Sequence, residues 1–476
     1  MPQAGIAVAV IEHGKIIHSK GYGKLAVTSD EKVNEHTLFQ IASNTKAFTT
    51  AGLAILVDQG KLNWNDKVIK HIPEFTMYSD SIRESFDITD LLTHRSGLGL
   101  GVGDLMFYPP GSDFMIDDVL NSFQYFKPSS EFRTKYAYDN LLYLVAGEVI
   151  HRVSGQPYNE FIENQILNPL GMDRTATSYN RLRSRKNIAT AHSTKKGEIW
   201  EIERYAKGEG SLAASGGIYS SIHDMSKWLL AQLNQGRYGA SLQHKIFTHQ
   251  RQEEMWTPYT FVGYVSGARH YGLGWYTSDI NGYSVISHSG GLPGMLSLVM
   301  MVPELKSAIV VLTNASPGGN SYHSISWTIL GKWIGKEGRD YLTSAQRQIS
   351  AIEAFVDTKT DEIWNTATVS SVEELKANAY LGTYEDSWFG KVTIENRGNR
   401  LWFQSERSPH LNGEMFLYKK DTFAVKMSYT NITCDAIVLF ERNDSGKIER
   451  IKMKGISPTI DFSFDYQDLN LIRLDR

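Results

Sequence analysis

Hydrophobic positions alternate at both ends of the first 340 residues and recur at helical spacing between them. Residues 5–11, Gly-Ile-Ala-Val-Ala-Val-Ile, read as a strand. With the turn at His13-Gly14 and the Lys-Ile-Ile-His-Ser run that follows, residues 5–26 form a predicted β-hairpin. From about Asn44 to Gly60 the apolar residues (Ala47, Phe48, Ala51, Leu53, Ala54, Ile55, Leu56, Val57) predict a long helix, with Gly60 placed to cap it. Residues 88–98 predict a short helix ending at Gly97. Residues 139–153 and 157–167 predict two more, the second stopped by Pro169-Leu170-Gly171-Met172. Gly216-Gly217 opens a segment leading into a helix at 222–235. Strand patterns return over 271–313: Tyr-Gly-Leu-Gly-Trp-Tyr, Tyr-Ser-Val-Ile-Ser-His, Ser-Leu-Val-Met-Met-Val and Ser-Ala-Ile-Val-Val-Leu-Thr. A helix at 323–335 closes the set.

This order predicts an α+β fold: one antiparallel sheet assembled from both ends of the segment, flanked by helices, with the strand sets meeting across the helical middle. The texture then changes. Residues 343–376 are polar and read as a helical linker. From Tyr380 to Leu474 short strands recur between Gly, Asn and Asp turns, the pattern of an all-β antiparallel barrel or sandwich. The expected division is a domain at 1–342, the linker, and a barrel at 377–476.

Composition narrows the function classes. With 476 residues two domains are expected, and 41% hydrophobic content with 11% aromatics argues against disorder. A net charge of −3 supplies no electrostatic reason to bind nucleic acid or an anionic membrane. The single cysteine, Cys434, lies in an alternating run and reads as a buried structural thiol. A strand so close to Met1 suggests that an upstream piece, such as a leader, was removed, and the compartment stays open. HisXHis, HisGluXXHis and paired CysXXCys are missing, so no metal or other cofactor is expected; GlyXSerXGly and phosphate-loop motifs are missing as well.

Three short elements carry chemistry. Ser43 and Lys46 sit three residues apart at the start of the long helix, which puts them on one face. A serine hydroxyl needs a base to act as nucleophile, and a lysine whose pKa is lowered by burial or nearby positive charge supplies one. Tyr138 and Asn140 directly precede the helix at 139–153; the phenol suits proton exchange and the amide can orient Lys46 or donate to a substrate. His288-Ser289-Gly290-Gly291 ends a strand, where glycines let a substrate backbone approach; the backbone N–H of Gly291 with that of Ser43 would make an oxyanion hole. Each element alone has a plainer reading: Ser43 as a helix cap, Tyr138 as a core aromatic with Asn140 as cap, and the His-Ser-Gly-Gly run as a turn. His94, in Thr-His-Arg-Ser-Gly, reads as a helix C-terminal cap. Trp275 and Tyr219 fit either the core or a cleft.

Together and in this order, the three elements match SerXXLys, TyrXAsn and HisXGly. The sequence resembles the β-lactamase and penicillin-binding-protein superfamily, in the class C-like branch of D-Ala-D-Ala carboxypeptidases, D-aminopeptidases, class C β-lactamases and related esterases. The resemblance extends over about 3–335, through residues 91–98, 169–172, 214–225, 271–275 and 288–294. It implies that Ser43 is acylated, that Lys46 and Tyr138 manage the protons, and that Asn140, His288, Ser289 and Gly290 line the substrate site. Residues 380–474 look like the lipocalin-like barrel appended to some members. Two departures stand out. The middle of TyrXAsn, usually Ser, is Asp139, whose carboxylate either faces solvent or, pointing inward, perturbs Lys46 upward. His288 replaces the lysine of true class C β-lactamases, and a neutral imidazole is a poorer carboxylate anchor than an ammonium.

The resulting expectation is a serine hydrolase acting through an acyl-enzyme on D-amino-acid-containing peptides. An esterase or weak β-lactamase on the same machinery is the near alternative, and a binding or sensory protein without turnover the distant one. The expected partners are a small peptide, ester or β-lactam, and a homo-oligomer formed through the barrel. The resemblance implies a periplasmic or secreted location.

Overall fold

The computed structural model describes residues 3–205, 209–316, 321–368 and 377–474. The chain separates into two units. The first comprises Met1–Phe75, Ser81–Gly97 and Ser129–Ile349; the second comprises Thr76–Asp80, Leu98–Pro128 and Ser350–Arg476.

In the first unit, eight strands form one antiparallel sheet. They are β1 (Gly5–Glu12), β2 (Lys15–Gly23), β3 (Thr260–Tyr264), β4 (Ala268–Tyr271), β5 (Tyr276–Ile280), β6 (Tyr283–Leu292), β7 (Met295–Val302) and β8 (Ser307–Thr313). In space they run β2-β1-β8-β7-β6-β5-β4-β3. The two ends of the segment therefore meet as the alternation predicted: β1 pairs with β8 from Ile6–Thr313 to Ile11–Ala308. All seven residues of β8 are buried, which explains its unbroken apolar run; a strand covered on both faces has no reason to alternate.

The helices that bear on the site and the barrel, numbered in chain order, are α1 (Thr45–Asp58), α2 (Ile88–Leu92), α3 (Ile116–Ser122), α4 (Leu141–Ser154), α5 (Ile222–Leu233), α6 (Ser321–Trp333) and α7 (Tyr341–Trp364); shorter helices lie between them. On one face of the sheet Val8, Val10, Ile309 and Val311 pack against Tyr322, Ile325, Ile329 and Trp333 of α6. The other face carries the helical middle. There α1 is buried continuously from Thr45 to Leu56, so it is a core helix rather than an amphipathic surface one.

Two expectations change. Of the run Tyr271–Tyr276 read as a strand, Tyr271 ends β4 and Tyr276 begins β5, and Gly272-Leu273-Gly274-Trp275 is the turn between them. Gly274 has φ +79°, and a Cβ there would lie 2.6 Å from Thr50 Oγ1 and 3.0 Å from Lys46 O, so the turn seats directly on α1. Trp275 and Tyr219 are both buried in the core. The His288–Gly291 run, read as a strand end or turn, lies within β6, and the reversal falls beyond it.

The second unit is built on a closed barrel whose strands pair in sequence order. These are β9 (Gly382–Asp386), β10 (Gly390–Arg397), β11 (Arg400–Ser405), β12 (Asn412–Lys419), β13 (Thr422–Met427), β14 (Ala436–Arg442), β15 (Ile448–Gly455) and β16 (Leu471–Arg473). Closure leaves no free sheet edge. Helix α7 covers much of the expected linker, and its end packs on the barrel through Trp364 against Phe416; residues 369–376 lie outside the described residues. Cys434 is buried and donates to Tyr429 O, as expected of a structural thiol.

Residues 98–128, including α3, belong to this second unit and pack on the barrel. Tyr108 meets Phe464 and Phe126 meets Trp388 edge to face. Arg407 pairs with Asp113 and, through both terminal nitrogens, with Asp118. Buried Asp465 accepts from Gly103 N at 2.6 Å and Leu105 N at 3.0 Å.

Candidate active site

Ser43 lies in a single 3₁₀ turn, Ala42–Asn44, that runs straight into α1. Ala42 is held at φ +47°, a left-handed conformation costing a non-glycine residue about 1–3 kcal/mol. Neighbouring bonds hold it there. Asn44 Nδ2 donates to Ser297 Oγ at 2.8 Å, and that hydroxyl donates onward to Ile41 O at 2.7 Å, tying the turn to β7. Gly290 of β6 presses on the same turn: a Cβ there would collide with Ile41 O and stand 2.9 Å from Ser43 N. The glycine of HisXGly is thus required by the approach of β6 to the Ser43 turn.

Lys46 is fully buried. Its Nζ is 3.2 Å from Ser43 Oγ, 2.7 Å from Asn140 Oδ1 and 3.0 Å from the carbonyl of Ser215. It also lies 4.7 Å from the ring centroid of Tyr138 and 5.2 Å from that of Tyr143. Ser215 is brought in because the 213–218 segment is sewn onto α1: Thr49 Oγ1 donates to Ala214 O and Ile218 N donates to Thr45 Oγ1.

Tyr138 and Asn140 reach Lys46 from the start of α4. Their loop is fixed by two anchors. Arg133 bonds Asp87 and Asp90 at the head of α2, where those acids also form a capping box. Farther along, Ala137 N donates to His94 O and Asp139 N to His94 Nδ1 at 3.1 Å. Because His94 Nδ1 accepts, a neutral ring carries its proton on Nε2. His94 is fully buried, at φ +53°, with its centroid 4.2 Å from Tyr138 and 4.5 Å from Tyr271; burial drives its pKa well below the usual histidine value. It follows α2 in sequence, as a cap would, but the structure uses it as the backing of the Tyr138 loop. The Gly97 that ends the motif marked a chain reversal; nothing in the local pattern marked the aromatic cage.

Asp139 points inward and is fully buried. Its Oδ1 accepts weakly from Leu142 N at 3.4 Å, and burial pushes its carboxyl up to about 7 despite the field of Lys46.

His288 is 1% exposed. Its Nδ1 contacts the carbonyl of Ser289 at 2.7 Å, so that nitrogen carries the proton; Nε2 then accepts from Tyr271 Oη at 2.9 Å. Burial, with the nearby Lys46 charge second, pulls its pKa down to about 3, so the ring is neutral. Both nitrogens are engaged within the protein, and the ring sits behind the site. Ser289 is half-buried and Gly291 exposed on the same strand. The ladder of β6 with β5 stops at Ser287, whereas that with β7 continues to Leu292. Residues 288–292 therefore extend past their β5 neighbour. Arg269, 3.6 Å from the centroid of Tyr276, and the Tyr136–Tyr276 hydroxyl pair at 2.6 Å complete this corner.

Ser43, Lys46, Tyr138, Asn140 and Gly290 are thus brought together, with His288 just behind them. An antiparallel sheet flanked by helices, with a buried lysine joining a helix-start serine to TyrXAsn, is the β-lactamase and penicillin-binding-protein fold. The chain belongs to the β-lactamase family, whose model matches residues 2–346. Residues 366–473 match a domain of unknown function, DUF3471. The chain is 29% identical to Protein flp of Staphylococcus aureus (strain MRSA252) over 318 residues, 65% of this chain and 59% of that protein. It is 28% identical to the unguisins hydrolase ungD' of Aspergillus campestris over 331 residues, 66% and 59% of the two chains. The chain thus spans about three-fifths of the length of these relatives. Among solved structures, the octameric penicillin-binding protein homologue from Pyrococcus abyssi superposes with TM-score 0.63 at 20% identity, covering 99% of this chain and 96% of that one. A D-stereospecific amidohydrolase from Streptomyces sp. gives 0.55 at 22%, covering 66% and 90%.

Proposed function

We propose that the protein is a serine hydrolase acylated on Ser43, with amides of D-amino acids or D-residue peptides as its substrate class. The bonding of Lys46 carries this reading. A neutral amine has two N–H donors and one lone pair. The carbonyl oxygens of Asn140 and Ser215 only accept, so they take both donors. With its protons on those two oxygens, a neutral Lys46 can turn its lone pair to Ser43 Oγ, 3.2 Å away, as a general base requires.

In the proposed reaction Lys46 takes the Ser43 proton as Oγ attacks the substrate carbonyl. The N–H groups of Ser43 and Gly291 receive the oxyanion. Collapse breaks the C–N bond, and the amine leaves with a proton relayed through Lys46 and Tyr138. Water then cleaves the acyl-Ser43 ester, giving the acid and restoring the hydroxyl. Asn140 and the projecting strand at Ser289–Gly290 hold the substrate backbone, as strand addition would. His288, neutral and engaged, is a weak anchor for a carboxylate, which favours amides over β-lactams. The names of the solved relatives, a D-stereospecific amidohydrolase and a penicillin-binding protein homologue, support the same class.

The test is kcat/KM measured side by side on D-amino-acid amides, their L-enantiomers, nitrophenyl esters and nitrocefin. D-amides should exceed L-amides; equal rates, or nitrocefin as best substrate, would remove the substrate class. The octameric relative also motivates a proposed homo-oligomer, which light scattering on the full chain decides.

A further inference from the structure

Asp139 stands between the two motif residues Tyr138 and Asn140 and immediately before α4. Its side chain is completely enclosed. Oδ1 has the long bond from Leu142 N, while Oδ2 is buried without a hydrogen-bond partner among the described residues. Its neighbour Asn140 holds Lys46 at 2.7 Å. A carboxylate so poorly solvated is costly unless a cation lies near it, and Lys46 is the charged group whose field reaches it. The other titratable side chains packed around this corner are His94 behind α2, Tyr138 on the loop, Tyr143 on α4, Tyr271 at the end of β4 and His288 on β6. Both imidazoles are held neutral by burial, and burial pushes the Tyr143 and Tyr271 hydroxyls further from ionisation.

We propose that Asp139 is a positioning residue that sets the protonation state of Lys46: as the neutral acid it leaves Lys46 free to act as base, and as the carboxylate it holds Lys46 as the ammonium. Ionisation of Asp139 releases its proton to solvent while Lys46 keeps its own, held by the field of the new carboxylate. A base working at Ser43 needs the neutral pair. The usual serine at this position has no such control, so this chain carries a charge-based setting of its own base. The rise of that carboxyl to about 7 is consistent with both forms being reached near neutral pH.

The inference rests on Ser43 being acylated through Lys46. The experiment is the pH profile of the acylation rate by a fluorophosphonate probe, for wild type, Asp139→Ser, Asp139→Asn and Asp139→Glu. Removing the carboxylate should move the rising limb to lower pH by about one unit, with Asp139→Glu keeping the wild-type limb. A limb at the wild-type pH in both neutral variants overturns the inference, whether or not the rate falls. If neither variant gives a cooperative thermal transition, ¹³C-aspartate NMR of the wild type carries the test: the Asp139 carboxyl, assigned through its own backbone resonances and so told apart from Asp465, should remain protonated at about pH 6. Finding Asp139 ionised there overturns the inference. A wild type that does not label on Ser43 would instead sink the hydrolase reading.

Discussion

Asp139 in the first unit and Asp465 in the second are both fully enclosed carboxyl groups, and they are surrounded differently. Asp465 accepts a backbone N–H on each oxygen, from Gly103 and Leu105, and its neighbour Asp104 takes the hydroxyl of Ser463 at 2.7 Å. Those bonds fasten residues 98–128 to the barrel. Asp139 takes a long bond from Leu142 N, has an oxygen with no hydrogen-bond partner among the described residues, and lies in the field of buried Lys46. Burial raises the pKa of both, so a shifted pKa does not separate clasp from chemistry. What separates them is their setting: Asp465 is held by amides of residues 98–128, whereas Asp139 stands beside Asn140, which bonds the lysine in contact with Ser43 Oγ.

The sharpest way to break this contrast is Lys46→Met. It keeps the volume of a buried side chain and removes the base, so acylation should fall by about 10³-fold or more while the thermal transition survives. A variant that still acylates near the wild-type rate would mean that Lys46 is a structural cation. Gly290→Ala should come next. The added methyl meets Ile41 O and the turn carrying Ser43, so acylation should drop about 10–100-fold through displacement of the nucleophile. An unchanged rate would show that β6 does not hold that turn.

The clasp gives smaller numbers. Asp465→Ala leaves two buried N–H groups without acceptors and should cost about 2–4 kcal/mol in thermal or denaturant unfolding. The sign of its pH dependence follows from the raised pKa. The folded state holds the proton more tightly than the unfolded chain, so the contribution of Asp465 to stability is fully present below its unfolded pKa and is lost as pH rises through the folded pKa. Asp465→Asn should flatten that fall, seen as a smaller change in Tm across the same buffers. An equal fall in wild type and variant would place the titration elsewhere.

Much of the first unit was legible. The apolar runs at residues 5–11 and 307–313 were enough to join the two ends of that segment, because a strand covered on both faces leaves a strong signal. The Ser43–Lys46 spacing located a helix start, and Tyr138–Asn140 its partner loop. Less legible were features that depend on what comes close in space. Tyr271–Trp275 alternates like a strand, yet Gly274 is there to seat a turn on α1. His94 looked like a helix cap because its neighbours in sequence said so, while its cage of Tyr138, Tyr143 and Tyr271 comes from two other segments, the start of α4 and the end of β4. The attachment of 98–128 to the barrel had no local signature at all: Gly103, Leu105 and Asp465 are brought together by tertiary packing alone.

The central claim is that Ser43 is the nucleophile, and covalent labelling tests it most directly. The full-length chain is treated with a fluorophosphonate probe and its adduct mapped by peptide mass spectrometry. One adduct on Ser43 is predicted, and none on the Ser43→Ala variant. An adduct on another residue, or equal labelling of the variant, would contradict the account.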